Sequence, residues 1–194
     1  MRLTLTIAEA LCDLRGEEAG WARMVGSGDN ARPAPGGASP DGESVECTLE
    51  VTAGDASMPV QVGWHPWFVR PCRVEATFRE MYVRDAEGIP TGARVAPTAG
   101  PHDDCFTGAH AAPVVRWDDL ALRIESDCSH WVVYDEPAHA LCVEPQSGPP
   151  DGFTIEPLVL APRTTMRRTM RLVVRRDGAS RRDGAPGHAA EGRG

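Results

Sequence analysis

The sequence predicts an all-β protein built as an antiparallel sandwich or barrel. Short segments alternate between apolar and polar residues, as Val45, Cys47 and Leu49 do within the segment VECTLEV. Turn residues separate such segments about every eight to twelve positions, which is typical of sandwiches and barrels. No long amphipathic helical pattern interrupts them. With 194 residues, 41% of them hydrophobic and 25% charged, the chain is long enough for one medium-sized domain with a core.

The two ends of the chain differ in composition from its middle. Residues 2–7 (RLTLTI) alternate like a strand, and residues 8–24 fit either a helix or a loop. Residues 26–44 are rich in Gly, Pro, Ser and Asp and are predicted to be a linker or a long disordered loop. The tail from Asp177 has few apolar residues and is predicted to be disordered. The expected domains are therefore an N-terminal segment with a Gly/Pro-rich linker at 1–44, a β-domain at 45–176 and a disordered tail at 177–194.

The predicted strands of the middle segment follow one another with short turns between them. Asp118 and Asp119 mark the turn of an expected hairpin, and Pro145 is expected to end its strand or place it at a sheet edge, because proline lacks the N–H that a ladder needs. The segments assigned to strands, some with their turns, are 45–51, 58–69, 72–78, 81–92, 113–127, 130–136, 140–146 and 165–176.

Charge and hydropathy exclude several classes of partner. The net charge is −8, whereas proteins that bind nucleic acid or anionic membranes are usually basic, so neither partner is expected. A neutral or cationic small molecule fits better. No run reaches the ~18 to 20 apolar residues of a membrane span, and residues 1–18 show no secretory signal. We therefore expect a cytoplasmic protein.

The six cysteines do not form a metal-binding or disulfide pattern. None belongs to a CxxC or to a Cys/His pair at zinc-finger spacing. We expect free thiols, mostly half-buried, and no metal site.

Three ionisable residues lie in unusual local contexts. His65 lies between two tryptophans and next to a proline in GWHPWF, Asp103 lies in HDDCF, and Glu144 follows an apolar run in LCVEP. A carboxylate on such a strand is partly desolvated, which raises its pKa toward the range of a general base. Each residue also has a structural interpretation: a satisfied core histidine, a turn-capping aspartate and a solvent-facing glutamate.

Taken together in this order, the motifs GWHPWF, HDDCF, VYDEPAHALCVEPQSGPPDGF and PRTTMRRTMRLVV resemble the C-terminal part of the aldose 1-epimerase (galactose mutarotase) family, over roughly residues 45–175. The resemblance implies a galactose mutarotase-like antiparallel β-sandwich, incomplete at its N-terminus, with a sugar cleft across it. It implies isomerase activity that interconverts the α and β anomers of an aldohexose, with no metal or organic cofactor.

The resemblance also implies a role for each candidate residue. His65 would be the general acid toward the ring oxygen, Glu144 the base that takes the anomeric hydroxyl proton, and Asp103 would hold sugar hydroxyls. The acid and base are expected on opposite sides of the sugar, exchanging roles when the ring closes. Trp67 and Trp64 are candidate surfaces for the C–H faces of the sugar. Strand alternation predicts that His65 and Trp67 share a face and that Trp64 packs into the other layer.

Two features of the family are not found in this sequence: an upstream Asn-Arg segment and a second histidine in a His-Gly-Gly-like context. Asn30 and Arg32 lie in the Gly/Pro-rich segment and do not replace them. We therefore expect weak or absent activity, since the loss of one such group costs about 10²–10⁴ in rate.

Two alternative functions remain open. The first is a non-catalytic carbohydrate-binding module on the same fold. The second is a hexose-6-phosphate 1-epimerase-like specificity, which would need a basic cluster at the cleft for the phosphate. The candidate cations for such a cluster, which fit solvated strand faces equally, are Arg70, Arg73, Arg163, Arg167 and Arg168.

Overall fold

The computed structural model describes residues 2–10, by their backbone alone, and residues 43–176. These residues form strands and a single four-residue helix. In chain order they are β1 (Arg2–Ala10), β2 (Glu43–Thr52), β3 (Met58–Pro59), β4 (Trp67–Val69), β5 (Arg73–Glu75), β6 (Phe78–Arg84), β7 (Pro90–Val95), β8 (Asp103–Ala109), β9 (Val114–Arg116), β10 (Leu120–Ser126), β11 (His130–Tyr134), β12 (Ala140–Gln146), α1 (Gly152–Ile155), β13 (Val159–Leu160) and β14 (Thr165–Arg176).

Two six-stranded antiparallel sheets make up most of the described chain. The first sheet has the order β1-β2-β14-β10-β9-β5, and the second has the order β4-β12-β11-β8-β6-β7. A two-stranded ribbon pairs β13 with β3. The predicted all-β antiparallel sandwich is thereby confirmed. Within the described residues, no helix is long and apolar enough to cross a membrane.

The core lies between the two sheets. Cys47, Ile124 and Met170 of the first sheet and Leu141 and Val143 of the second belong to one buried cluster. These side chains come from alternate positions of their strands, because successive residues of a strand point to opposite faces. The other faces of the sheets are therefore available for polar groups.

Most predicted strands are confirmed, including the hairpin at Asp118 and Asp119, where the Trp117 amide donates to the Leu120 carbonyl at 2.8 Å. The expected single strand at 58–69 is wrong. That segment forms β3, an isolated bridge from Gly63 to Gln146, and β4. Pro59 and Pro66 interrupt it, because neither has an N–H for a continuous ladder.

Two further expectations about strands need correction. β8 was not predicted, yet it lies inside the second sheet between β11 and β6. Its start, Asp103-Asp104, forms ion pairs with Arg84 instead of showing an apolar pattern. Pro145 does not mark a sheet edge, because it is opposite Trp131 on one side and its carbonyl accepts from the Trp64 amide on the other. The other part of that expectation, that the strand ends at Pro145, holds to within one residue, because β12 ends at Gln146.

Other predictions fall partly outside the described residues. β1 runs to Ala10, so residues 8–10 are strand rather than helix or loop. The predicted linker, the tail and Asn30-Ala31-Arg32 lie outside the described ranges. Among the cysteines the structure describes, none is in a disulfide. Four are buried and Cys72 is half-buried, which is deeper than predicted.

Candidate active site

The outer face of the second sheet, turned away from the first sheet, carries most of the candidate residues. Trp67, Cys142, Tyr134 and Asp103 are directly opposite one another on β4, β12, β11 and β8. Opposed residues share a face, and so do alternate residues of one strand. Glu144 follows Cys142 by two positions and therefore lies on this face as well. We call it the site face.

His65 and Glu144 form a direct pair on the site face. The imidazole Nε2 lies 3.0 Å from the Glu144 Oε1. The His65 side chain is 57% exposed, whereas that of Glu144 is 4% exposed. The pair thus joins a buried carboxylate to an imidazole that solvent can reach.

Close contact between backbones brings His65 to Glu144. Gly63 forms a bridge to Gln146, and the Trp64 amide donates to the Pro145 carbonyl at 3.1 Å. A Cβ on Gly63 would lie 2.9 Å from that carbonyl, so glycine permits the approach. The segment before His65 is therefore fixed against the strand that carries Glu144.

One aromatic ring, that of Trp67, stacks on the imidazole and in turn contacts two further rings. The rings of His65 and Trp67 stack with centroids 5.4 Å apart and planes 19° apart. Trp67 also stacks on His139 at 6.3 Å and meets the edge of Tyr134 at 5.9 Å. The expectation that His65 and Trp67 share a face is confirmed. The stack restricts the orientations that the His65 ring can adopt.

The environment of Glu144 favours its protonated form. Burial raises the pKa of this carboxyl, and the nearby Asp103 charge adds to the effect. The charge of His65 and hydrogen bonds from Gln146 and Cys142 act in the opposite direction but do not cancel it. The Gln146 amide donates to Oε2 at 3.1 Å. Burial, together with the Glu144 carboxylate, raises the pKa of the Cys142 thiol to about 12. The raised pKa of Glu144 agrees with the prediction from its apolar strand.

Asp103 lies on the site face, but its carboxylate already has a cationic partner. The Arg84 Nη1 lies 3.0 Å from the Asp103 Oδ2, and the Arg84 Nε lies 3.0 Å from the Asp104 Oδ1. The Asp103 side chain is 51% exposed. The remaining acceptor positions of this carboxylate can be reached from solvent. Arg84 is a site-face residue that the sequence did not reveal.

Trp64 does not join the other candidates on this face. Its ring packs against the core cluster between the sheets, as strand alternation predicted. Its indole nitrogen is buried and has no hydrogen-bond partner among the described residues. This position turns the Trp64 ring toward the core and does not favour a sugar contact on the site face, so that contact stays a prediction.

A second polar cluster on the site face was not predicted. The Tyr82 hydroxyl lies 2.9 Å from the His130 Nε2 and donates to Glu156 Oε1 at 2.7 Å. The Ser129 hydroxyl lies 2.9 Å from the His130 Nδ1. Since the Tyr82 hydroxyl has one hydrogen, the Nε2–H must donate to Tyr82 and Nδ1 accepts from Ser129. His130 is opposite Gln146, so this chain of hydrogen bonds adjoins the Glu144 site.

Burial and charge set the protonation states in the second cluster. Burial lowers the pKa of His130, Glu156 opposes that shift and the Arg94 charge reinforces it. Burial also raises the pKa of Glu156, but hydrogen bonds from Tyr82 and Arg94 outweigh it, so the pKa of Glu156 is lowered. A neutral imidazole beside an ionised carboxylate follows. The sequence signal was weak: His130 is the first residue of a short apolar strand.

The arginines considered for phosphate binding are engaged elsewhere. Arg70 donates to the carbonyls of Pro137 at 2.9 Å and Asp135 at 2.6 Å. The carboxylates paired with Arg73, Arg163 and Arg167 are Glu75, Asp55 and Glu50, and Arg167 and Arg168 lie on β14 of the first sheet. On the described site face, Arg84 and Arg94 are already paired with carboxylates. These contacts do not form the basic cluster that a phosphorylated sugar would need.

Two other features bear on ligand binding. His65, Cys142 and Glu144 each offer one metal-ligating atom, and these atoms lie within 4.8 Å of one another. No metal site was predicted from the sequence. An open cavity of about 500 Å³ lies elsewhere, between residues such as Gly108, Glu125 and Trp131. Neither His65 nor Glu144 lines that cavity, so it lies apart from the acid/base pair.

Comparison with solved structures identifies the fold. No protein-family model and no curated protein matches the sequence. A galactose mutarotase-like protein from Clostridium acetobutylicum matches with a TM-score of 0.62 at 17% identity, covering 70% of this chain and 53% of that one. Galactose 1-epimerase from Lactobacillus acidophilus matches with a TM-score of 0.59 at 13% identity, covering 69% and 53%. An aldose epimerase homologue from C. elegans matches with a TM-score of 0.55 at 13% identity, covering 70% and 56%.

These matches extend over only part of the solved proteins. The chain spans about half the length of the structures it resembles. At these identities the likeness concerns the backbone arrangement, and the candidate residues rest on the geometry above. Over the matched region, the chain has the galactose mutarotase-like fold.

Proposed function

We propose that this chain carries the acid/base pair of a hexose 1-epimerase. The observation that carries the proposal is the contact of 3.0 Å between the exposed His65 imidazole and the buried Glu144 carboxylate. This pair lies on the outer face of a sheet in a galactose mutarotase-like fold. A base with a raised pKa next to a histidine is suited to moving protons at neutral pH.

The proposed reaction moves two protons and consumes no co-reactant. Glu144 takes the proton of the C1 hydroxyl while His65, as the imidazolium, gives a proton to the ring oxygen. The bond from C1 to the ring oxygen breaks and the C1 hydroxyl oxygen becomes the aldehyde oxygen. After rotation about C1–C2, the protons return and the ring closes on the other face.

The observed geometry changes the expected placement of acid and base. They were expected on opposite sides of the sugar, but here they touch. Both oxygens that exchange protons are bonded to C1, so neighbouring groups can serve them. A sugar would enter by separating the exposed His65 from Glu144, each side chain then turning to one of the two oxygens.

Other residues on the site face would orient the sugar. The carboxylate of Asp103 can accept from sugar hydroxyls while it holds Arg84. Trp67, 40% exposed, offers apolar surface at its uncovered edge. Because the upstream Asn-Arg segment and the second histidine have no counterpart in the sequence, we expect a low rate for this chain alone.

Polarimetry on freshly dissolved α-D-glucose and α-D-galactose tests the proposal. The observed rate constant is plotted against protein concentration, so that the slope gives catalysis above the spontaneous reaction. We expect a positive slope that Glu144→Gln and His65→Asn each lower by about 10²–10⁴, or to the detection limit. The matched control is His110→Asn, an exposed histidine of the same sheet region that should leave the slope unchanged.

Sugar binding separates the alternatives. Calorimetric titration with galactose is performed on the wild type and both variants. Retained binding with lost conversion in the variants supports the acid/base roles. A wild type that binds sugar and shows zero slope would instead favour a carbohydrate-binding module without catalysis. A slope insensitive to both variants would place the chemistry elsewhere.

A further inference from the structure

Three side chains of different chemistry converge at the edge of the site face. His65 contributes an imidazole nitrogen, Cys142 a thiol sulfur and Glu144 a carboxylate oxygen, all within 4.8 Å of one another. Cys142 and Glu144 are two positions apart on β12, which puts both on one face. The Gly63–Gln146 bridge holds the backbone before His65 beside them.

These donor types match a zinc ion. Zinc is bound by thiolate, imidazole and carboxylate groups at about 2.0–2.3 Å, so the donor atoms of a tetrahedral site lie about 3.3–3.8 Å apart. The His65 Nε2 and Glu144 Oε1 are 3.0 Å apart and would need to separate by a few tenths of an ångström. The other separations are at most 4.8 Å and would need to shrink by up to about one ångström. Rotation of the exposed His65 can shorten its distance to Cys142, and side-chain rotation of Cys142 and Glu144 would set the distance between those two.

Charge and access also fit this ion. A thiolate and a carboxylate supply two negative charges that balance one divalent cation, and the thiol proton leaves to solvent. Hard cations such as Mg²⁺ and Ca²⁺ prefer oxygen ligands, so a set containing sulfur and nitrogen selects against them. Cys142 and Glu144 are buried, whereas His65 is mostly exposed. An ion can therefore enter from the solvent side and would find three protein ligands and one open position.

We propose that His65, Cys142 and Glu144 form a zinc-binding site that shares two residues with the acid/base pair. Metal binding requires only these three side chains and does not depend on the proposed function. Its consequence rests on the proposed function: zinc occupies the lone pairs that would move protons, so the ion inhibits anomerisation. Zinc is then a competitor of the sugar and has no role in the reaction.

Metal binding is tested without sugar, on the full chain lacking any added polyhistidine segment. Zinc chloride is titrated against a chromophoric chelator, and cobalt chloride is added in a parallel experiment. We expect one zinc per chain at this site and a thiolate-to-cobalt charge-transfer band in the near ultraviolet. Loss of a supporting partner outside the ligand set costs 10–100-fold in metal affinity, so loss of a ligand should cost at least about 100-fold.

Cys142→Ala and His65→Gln should both produce that loss, and Cys142→Ala should also abolish the cobalt band. The matched control is Cys105→Ala, because Cys105 is an equally buried cysteine on the same face that lies outside the cluster. It should bind as the wild type does. Circular dichroism and thermal unfolding verify that each variant folds, and His65→Gln provides a second test if Cys142→Ala does not fold.

The proposal is overturned if the cobalt band is absent, or if Cys142→Ala and His65→Gln bind zinc as the wild type does. Equal losses for Cys105→Ala and Cys142→Ala would overturn it too. Inhibition is measured separately, as the ratio of polarimetric slopes with and without zinc. Zinc binding without sugar turnover would refute the proposed function and leave the metal site standing. Turnover that saturating zinc does not change would refute the predicted inhibition and leave the proposed function standing.

Discussion

Gly63 allows the chain before His65 to approach β12, and Gly63→Ala should disturb that approach. The new Cβ would lie 2.9 Å from the Pro145 carbonyl oxygen and 3.2 Å from the Gln146 Cα. Real Cβ atoms essentially never show a contact as short as 2.9 Å, and few show one of 3.2 Å. Both contacts are with backbone, which cannot rotate away. The bridge must therefore open.

The expected magnitude follows from the cost of overpacking a close contact, which is about 1–3 kcal/mol. Replacing any glycine by alanine also reduces the entropy of the unfolded chain, which stabilises by about 0.4–1 kcal/mol. Gly54→Ala isolates this second effect, since nothing lies within 4 Å of a Cβ there. The difference between the two variants in free energy of unfolding should thus be about 1–3 kcal/mol.

Urea denaturation followed by tryptophan fluorescence measures that difference. At about 2–4 °C per kcal/mol for a chain of this size, the melting temperature of Gly63→Ala should lie about 2–12 °C below that of Gly54→Ala. The opened bridge should also weaken zinc binding, because His65 follows it directly. If the two variants unfold alike, the close bridge between residue 63 and β12 is incorrect, and with it the placement of His65.

Three further predictions concern the second polar cluster and the core. The pKa of His130 is lowered in the folded state, so the unfolded chain binds more protons near pH 6 and the free energy of unfolding falls as the pH drops below about 6.5. His130→Gln should remove this part of the dependence of the unfolding free energy on pH, measured by urea denaturation between about pH 7.5 and 5.5, above the range where Glu156 titrates. An unchanged pH dependence would contradict the assignment. Tyr82→Phe leaves the buried His130 nitrogen without its partner and should lower the free energy of unfolding by about 1–3 kcal/mol; a change near zero would mean that the hydrogen bond is not formed. Ile124→Val should cost about 0.5–1.5 kcal/mol because Ile124 is fully buried, whereas Ile89→Val, at a residue 43% exposed, should cost almost nothing; equal costs would show that Ile124 is not in the core.

Short alternating or apolar segments between turn residues were sufficient to predict strands that line the core, such as β2, β12 and β14. It failed for β8, because that strand begins with Asp103 and Asp104, two carboxylates that are paired with Arg84 from a neighbouring strand. A single sequence does not show which cation will lie beside which carboxylate. The same reason explains why the sheet order of the second sheet was not predicted.

The candidate site was predicted in part. His65 and Glu144 were found because unusual local contexts surrounded them, and the structure brings them into contact. The cluster of Tyr82, His130 and Glu156 was missed because its members are up to 74 positions apart and none has a distinctive neighbourhood. Trp64 and Trp67 were both named as candidate sugar surfaces, and strand alternation correctly predicted that they point to opposite faces.

One strand serves both the interior and the site. Leu141 and Val143 of β12 lie in the core, while Cys142 and Glu144 alternate with them on the other face. The amide hydrogens of β12 should therefore exchange with deuterium only when the whole sandwich opens, at the slowest rates in the molecule. Local fluctuations would then be unable to displace Glu144 while the rest of the sandwich remains folded. Evolution could adjust the position of Glu144 only by substitutions that also change the stability of the core.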